Sequence, residues 1–206
     1  MEPSLSLEDL DALFGLADLG VRAGLAGQSA PRVDPATLAP ALREPQGVFV
    51  TLEVAGELNG CIGSIMPTEP LGAAVPRLAW AAAFEDPRLP ALTAADYPSL
   101  EIKLSLMGPL VPVAAGSEAE LAANLRPGVD GVLIRHRAGN ATFLPAVWEK
   151  LPDPLTFLRH LEDKAGLRSG RWPDGMQAWR YTSTEHRRKA VDIEPAFDVQ
   201  TRASSW

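Results

Sequence analysis

Residues 47–65 read GVFVTLEVAGELNGCIGSI, and this stretch decides the fold class. Apolar side chains alternate with other residue types in its first half, which predicts a strand with one buried face. The apolar positions are Val48, Val50, Leu52 and Val54. Ala55-Gly56 then has the form of a two-residue hairpin turn that leads into a second strand, 57–65. The stretch therefore predicts a β-hairpin.

Outside this hairpin, short strands are mixed with helices. Residues 100–106 alternate as a further half-buried strand, and 132–135 with 141–144 form a second predicted hairpin. Ser6 begins a capping box before a helix, Thr68 is a candidate cap for a second, and Asp153-Pro154 starts a third. In the second of these helices, Pro76 either introduces a kink or marks the true start.

These elements do not follow a regular strand-helix-strand order. We therefore predict an α+β fold in which a mainly antiparallel sheet is flanked by helices, with two unequal lobes in one compact unit. Residues 1–183 are assigned to this single domain, including a last strand near 178–183. Residues 184–206 are mostly polar, show no period and are predicted to form a loosely structured C-terminal tail.

Composition excludes several function classes. The net charge of −7 opposes binding to phosphate backbones, and the basic run 187–189 is too short to reverse it, so no nucleic acid is expected. No apolar stretch is long enough to span a bilayer, so no membrane association is expected. One cysteine in 206 residues allows no internal disulfide, and with no leader-like start we expect a cytoplasmic location.

The single cysteine, Cys61, lies between Gly60 and Gly63 with Asn59 before it. An unbroken hairpin register would place Cys61 opposite Val50, which favours a buried and inert thiol; a bulge at Gly60 would reverse the faces beyond it. Glycines on both sides are typical of close approach by a ligand or by another backbone. Chemistry alone favours the inert interpretation, because free cysteines are usually buried as small apolar groups.

Other candidate residues have equally ordinary explanations. Asp86 and Arg88 are either a helix-end cap with a surface cation or two charged groups in a cleft, and the structural role is favoured for Asp86. Lys164 offsets a helix dipole in a last turn. The three histidines have no metal-ligand spacing, so we expect no metal site and no cofactor.

Eight stretches together resemble the AMMECR domain family, also called AmmeMemoRadiSam system protein A. They keep the family's order and spacing over about residues 10–183. In this chain they read GVFVTL at 47–52, LNGCIG at 58–63, PL at 70–71, AAAFEDPR at 81–88, LEIKLSLMGPL at 100–110, GVDGVLI at 128–134, FLPAVWE at 143–149 and FLRHLEDKAGL at 157–167.

The resemblance implies two unequal lobes, with the cysteine segment facing the region between them. Two positions depart from the family pattern: Asn59 stands where the family typically has arginine, and Leu89 where it has phenylalanine. If that arginine lowers the pKa of the thiol or binds an anion, this chain has lost the cation at Asn59, since an amide can only form hydrogen bonds.

The family's name also implies association with a MEMO-type protein and a radical SAM enzyme, and the family has no established activity. One hypothesis is a cysteine-dependent enzyme acting on a small molecule or a modified base in an inter-lobe cleft. Cys61 is its catalytic residue, and the substrate is bound by Asn59, Gly60, Gly63, Asp86, Arg88 and Lys164. The alternatives are a non-catalytic binding module or accessory subunit for those two partners, and a small-molecule sensor or carrier.

Overall fold

The hairpin predicted from residues 47–65 is present in the computed structural model, which describes residues 5–194. Its strands are β1, Val48–Val54, and β2, Glu57–Ser64, and they pair antiparallel. Ala55 and Gly56 both have positive φ, at 51° and 87°. Two such residues form a turn whose twist matches that of the strands, so the predicted turn is confirmed.

The described chain divides into two compact units. The first consists, within the described residues, of 5–106 and 185–194. It contains β1 and β2 together with α1, Leu7–Leu25, α2, Pro40–Arg43, α3, Leu71–Phe84, and β3, Leu100–Met107. With β8, Ser183–Lys189, these strands form a sheet of order β2-β1-β3-β8. The division between the units falls inside β8 and at the end of β3.

One face of this sheet carries the core of the first unit. Val48, Val50 and Leu52 of β1 are buried there with Ile102 and Leu104 of β3. Helix α3 packs against β1 and β2 and so covers the apolar face that the alternation predicted, while α1 packs against α3.

The second unit, 107–184, is built on a separate sheet of order β4-β7-β5-β6. Its strands are β4, Val111–Val113, β5, Gly131–His136, β6, Gly139–Phe143, and β7, Gln177–Tyr181. Its helices are α4, Glu118–Ala123, and α5, Pro154–Lys164. The indole of Trp148 stacks on Phe157 at 3.8 Å between ring centroids and donates to the carbonyl of Asp130 at 2.7 Å. Both rings belong to the apolar core of the second unit, which is a separate cluster from the apolar core of the first unit.

The predicted α+β class with mainly antiparallel strands is confirmed; within residues 5–194 these strands are divided between two four-stranded sheets. Two details of the prediction were wrong. Helix α3 begins after Pro70, not at a Thr68 cap, and runs through Pro76. Within the predicted loose tail, residues from 184 to 189 belong to β8 and 190–192 form a single 3-10 turn. Residues 195–206 of that tail lie outside the described residues.

The error at β8 has a physical reason. Its side chains are mostly exposed and show no apolar alternation. The strand is held instead by main-chain hydrogen bonds to its neighbour β3. Sequence periodicity reports burial of side chains and does not detect such a strand.

Within the described residues, no helix has both the length and the apolar character needed to cross a bilayer.

A buried carboxylate in α1 ties that helix to the chain before β3. Asp18 is 1% exposed; its carboxylate accepts hydrogen bonds from the Tyr97 hydroxyl and from Nε of Arg22, each at 2.6 Å. Burial first, and then the Asp18 carboxylate, raises the pKa of Tyr97. The contact joins residues far apart in sequence and was not predicted.

We expect Tyr97→Phe to lower the free energy of unfolding by about 1–2 kcal/mol, because one oxygen of the buried Asp18 carboxylate loses its donor. Urea denaturation at neutral pH measures this change. In an Asp18→Asn background, Tyr97→Phe should lower the free energy of unfolding by less, since the hydrogen bond between Tyr97 and residue 18 is already weakened. Equal costs in the two backgrounds would contradict the coupling.

Candidate functional site

A bulge in β2 sets the orientation of Cys61. Leu52 pairs with Gly60 and Glu53 pairs with Leu58, so Asn59 is the extra residue. Beyond the bulge Cys61 lies opposite Thr51. The unbroken register, which placed the thiol beside Val50, was therefore wrong, because one inserted residue moves every later side chain to the other face.

The thiol lies on the polar face of the sheet, opposite the apolar core. The Thr51 hydroxyl donates to Sγ of Cys61 at 3.2 Å, and Cys61 is half-buried. Thr51 also pairs with Lys103 of β3, so the three residues form one row across three strands. Nζ of Lys103 lies 2.6 Å from a carboxylate oxygen of Glu53 on the same face.

Asp86 and Arg88 clamp the main chain of Cys61. An oxygen of the Asp86 carboxylate accepts the Cys61 backbone N–H at 3.0 Å, and Nη2 of Arg88 donates to the Cys61 carbonyl at 3.1 Å. The same guanidinium binds both Asp86 oxygens, at 2.8 and 2.6 Å. Because β2 is at an edge of its sheet, this pair supplies the donor and acceptor that a neighbouring strand would provide.

The clamp determines the ionisation of its members. Hydrogen bonds from the Arg88 side chain hold the pKa of Asp86 far below its usual range; burial opposes this, and the Cys61 N–H adds to it. The bonds to Asp86 raise the pKa of Arg88, and the nearby Cys61 adds a smaller contribution. Arg88 is therefore a fixed cation close to the thiol, although its side chain is 62% exposed.

Asn59, the bulged residue, contacts the chain that follows Arg88. Its Nδ2 donates to the carbonyl of Pro90 at 3.4 Å. Its Oδ1 is buried and has no hydrogen-bond partner among the described residues. A buried amide oxygen without a donor is costly, so it is a point where a donor group would be stabilising.

The two glycines beside Cys61 are explained by close backbone approach. A Cβ at Gly60 would overlap the carbonyl oxygen of Ala82 in α3, and one at Gly63 would overlap the carbonyl of Val48 in β1. Of the two explanations for these glycines, packing against another backbone accounts for both.

Six of the seven predicted site residues therefore lie together in the first unit, and Lys164 belongs to the second. Nζ of Lys164 donates to the carbonyl of Thr142 at 3.1 Å and lies 5.1 Å from the centroid of the Phe143 ring. These contacts attach the end of α5 to the edge strand β6. A role for Lys164 in substrate binding stays a prediction.

Sequence reasoning missed Thr51 and Lys103 as neighbours of the thiol. The alternation in β1 identifies which of its residues face away from the core, but the row with Cys61 depends on where the bulge occurs. Over residues 5–194, no three His, Cys, Asp or Glu side chains are grouped so that they could hold a metal ion.

Comparison with known proteins identifies the family. The AMMECR1 family model matches residues 17–186. A protein of Thermofilum pendens is 35% identical over 79% of this chain and 80% of its own length, and one of Methanothermobacter thermautotrophicus is 33% identical over 79% and 85%. The crystal structure of an uncharacterised Pyrococcus horikoshii protein superposes with a TM-score of 0.77 at 26% identity, covering 90% of this chain and 94% of that one. The chain belongs to the AMMECR1 family.

Proposed function

We propose that this protein is a cysteine-dependent enzyme that acts on a small molecule or a modified base, with Cys61 as nucleophile or acid/base. The observation that carries the proposal is the hydrogen bond from the Thr51 hydroxyl to Sγ on the polar face of the sheet. A donor aimed at the sulfur stabilises the thiolate, which is the nucleophilic form of cysteine.

The surroundings of the thiol suggest roles for its neighbours. Arg88 is fixed by Asp86 and largely exposed, so it is available to orient an anionic group of a substrate. The amide oxygen of Asn59 has no donor within the described chain but is buried, so a donor group of a substrate reaches it only if this side chain turns outward. Asp86 is a positioning residue in this scheme, because its carboxylate holds the main chain of Cys61.

Alkylation of the native protein tests the thiol directly. We expect iodoacetamide to modify Cys61, and to do so about tenfold more slowly in Thr51→Val at the same pH, since a hydrogen bond to a charged group contributes about 1.5 kcal/mol. Intact-mass spectrometry follows the rate of modification. Thr37→Val, which removes an exposed hydroxyl bonded to a main-chain carbonyl, is the matched control and should leave the rate unchanged.

An unreactive Cys61 in the folded protein, together with rapid reaction after unfolding, would remove the nucleophile from the proposal. Full cellular function of Cys61→Ser would do the same. If Cys61 is reactive, a comparison of metabolites and modified nucleosides between wild-type and deletion strains identifies the substrate without assuming its class.

A second candidate function is a non-catalytic accessory subunit for a MEMO-type or radical SAM partner. It is favoured by two exposed apolar side chains, Leu58 near the start of β2 at 48% and Met66 shortly after its end at 52% exposure. Co-purification from the native host distinguishes the candidates. A protein that emerges alone, and whose function is lost in Cys61→Ser, would exclude the accessory role.

A further inference from the structure

Glu162 is a buried carboxyl group in the second unit that the proposed function does not use. It lies in the last turn of α5 and is 1% exposed. One carboxyl oxygen, Oε2, accepts the backbone N–H of Gly170 at 2.9 Å. The other, Oε1, is buried and has no partner among the described residues.

The hydrogen bond to Gly170 holds the connection between α5 and β7, residues 165–176. The main-chain carbonyl of Glu162 also accepts the N–H of Leu167 at 2.9 Å, which closes the helix around Gly166. Glu162 therefore binds the start of this connection, at Leu167, through its main-chain carbonyl, and the middle, at Gly170, through its side chain.

Apart from the bonds at Glu162, the described contacts between the connection and the rest of the unit are mostly apolar, and Ala165 at its start is buried in the core. The indole of Trp172 donates to the carbonyl of Ala115 at 3.2 Å, and Leu167, Trp172 and Met176 pack against the core. Three glycines in it have positive φ, at positions 166, 170 and 175. Such a segment opens locally at low cost if one of its anchors is weakened.

The anchor at Glu162 favours the protonated carboxyl group. A charged carboxylate here would be removed from water with a single N–H donor, and it would lie at the negative end of the α5 dipole. Burial raises the pKa of Glu162, and Glu118 and Asp163 raise it further, whereas the Gly170 N–H and Arg159 lower it.

The surrounding charges do not offset this preference. Arg159 is itself paired with Glu118 at 3.2 Å. The charged residues of the connection, Arg168, Arg171 and Asp174, are exposed to solvent.

We propose that Glu162 is a proton-controlled anchor for the connection 165–176: the protonated carboxyl group holds it closed, and ionisation favours its opening. The sign follows from proton binding. The closed state binds a proton that the open state releases, so closure is most stable at low pH and weakens as pH rises from the ordinary glutamate pKa to the raised native one. Above the raised pKa the stability of the closed state levels off.

Hydrogen exchange of the full chain tests the proposal, with peptides covering 165–176 followed by mass spectrometry from about pH 4.5 to 8. After correction for the intrinsic exchange rate, the equilibrium constant for opening of the connection in the wild type should rise by up to tenfold per pH unit and then reach a plateau. Glu162→Gln is neutral and nearly isosteric, so its connection should stay closed with no such rise. Asp163→Asn, which removes an exposed neighbouring carboxylate, should keep the transition.

Tryptic cleavage after Arg168 and Arg171 gives an independent measurement, and in the wild type it should accelerate as pH rises through the same window. Flat wild-type protection across the range would overturn the proposal. Equal pH dependence in wild type and Glu162→Gln would also overturn it, because another group would then control the connection. Neither outcome bears on the proposed chemistry at Cys61.

Discussion

Asp86→Asn should lower the free energy of unfolding by about 2–3 kcal/mol at neutral pH. The carboxylate is 2% exposed and accepts from the Cys61 N–H and from the Arg88 guanidinium, so its loss weakens the whole clamp. Breaking a fully buried ion pair costs about 3–5 kcal/mol. The loss expected here, about 2–3 kcal/mol, is smaller because Arg88 is largely exposed and is solvated when its partner is lost.

The effect of Asp86→Asn should depend on pH. Because the native pKa of Asp86 is depressed, its contribution to stability is present above the pKa of an unfolded aspartate, about 4, and is lost as pH falls below that value toward the native pKa. Urea denaturation at about pH 7 and pH 3 should therefore show a smaller difference between wild type and variant in acid.

Arg88→Ala is the matched variant for this clamp. It leaves the Asp86 carboxylate with its two backbone donors, Cys61 N–H and Arg88 N–H, so we expect it to retain slow exchange of the Cys61 amide. In Asp86→Asn that amide should exchange faster. Unchanged unfolding free energy and unchanged amide exchange in Asp86→Asn would contradict the clamp.

Gly60→Ala should destabilise the first unit by about 3 kcal/mol. The added methyl group would overlap the Ala82 carbonyl oxygen of α3, and a backbone carbonyl cannot rotate away as a flexible side chain can. Either α3 or β2 must shift, and a shift of β2 moves Cys61 away from the Thr51 hydroxyl. Urea denaturation measures the loss of stability, and thiol alkylation reports the altered position of the sulfur.

Gly116→Ala provides the control for this substitution. The Cβ at that position would meet only the carboxylate end of the Glu120 side chain, at 3.4 Å, so the expected change is within about 0.5 kcal/mol. If Gly60→Ala were as stable as Gly116→Ala, the close packing of α3 on β2 would be wrong.

Local signals were sufficient for much of the secondary structure. Ser6 and Asp153 accept hydrogen bonds from the helices they begin, as their spacing predicted. Each contact joins residues within three positions, so it depends little on the rest of the chain. The Schellman-type closure at Gly166 has the same local origin.

The candidate site was only partly predictable. The sequence identified Cys61, Asp86 and Arg88 as residues of interest, yet Asp86 ends no helix: it closes the edge of β2 across 25 positions of sequence. No periodic pattern encodes such a contact. Buried carboxylates such as Glu162 are also invisible to pattern analysis, because a polar residue in an amphipathic helix is expected to face water.

By itself, the sequence determined the hairpin, the starts of α1 and α5, the α+β class and the likeness to a family, since these follow from alternation, caps and ordered motifs. The tertiary structure alone decided which way the thiol faces. A single extra residue, Asn59, reverses the faces of β2 beyond it, and the carbonyl of Ala82 and the carboxylate of Asp86 then hold that arrangement. The physical reason is that side chains alternate with a period of two, so the environment of Cys61 depends on register, which is set by contacts between distant parts of the chain.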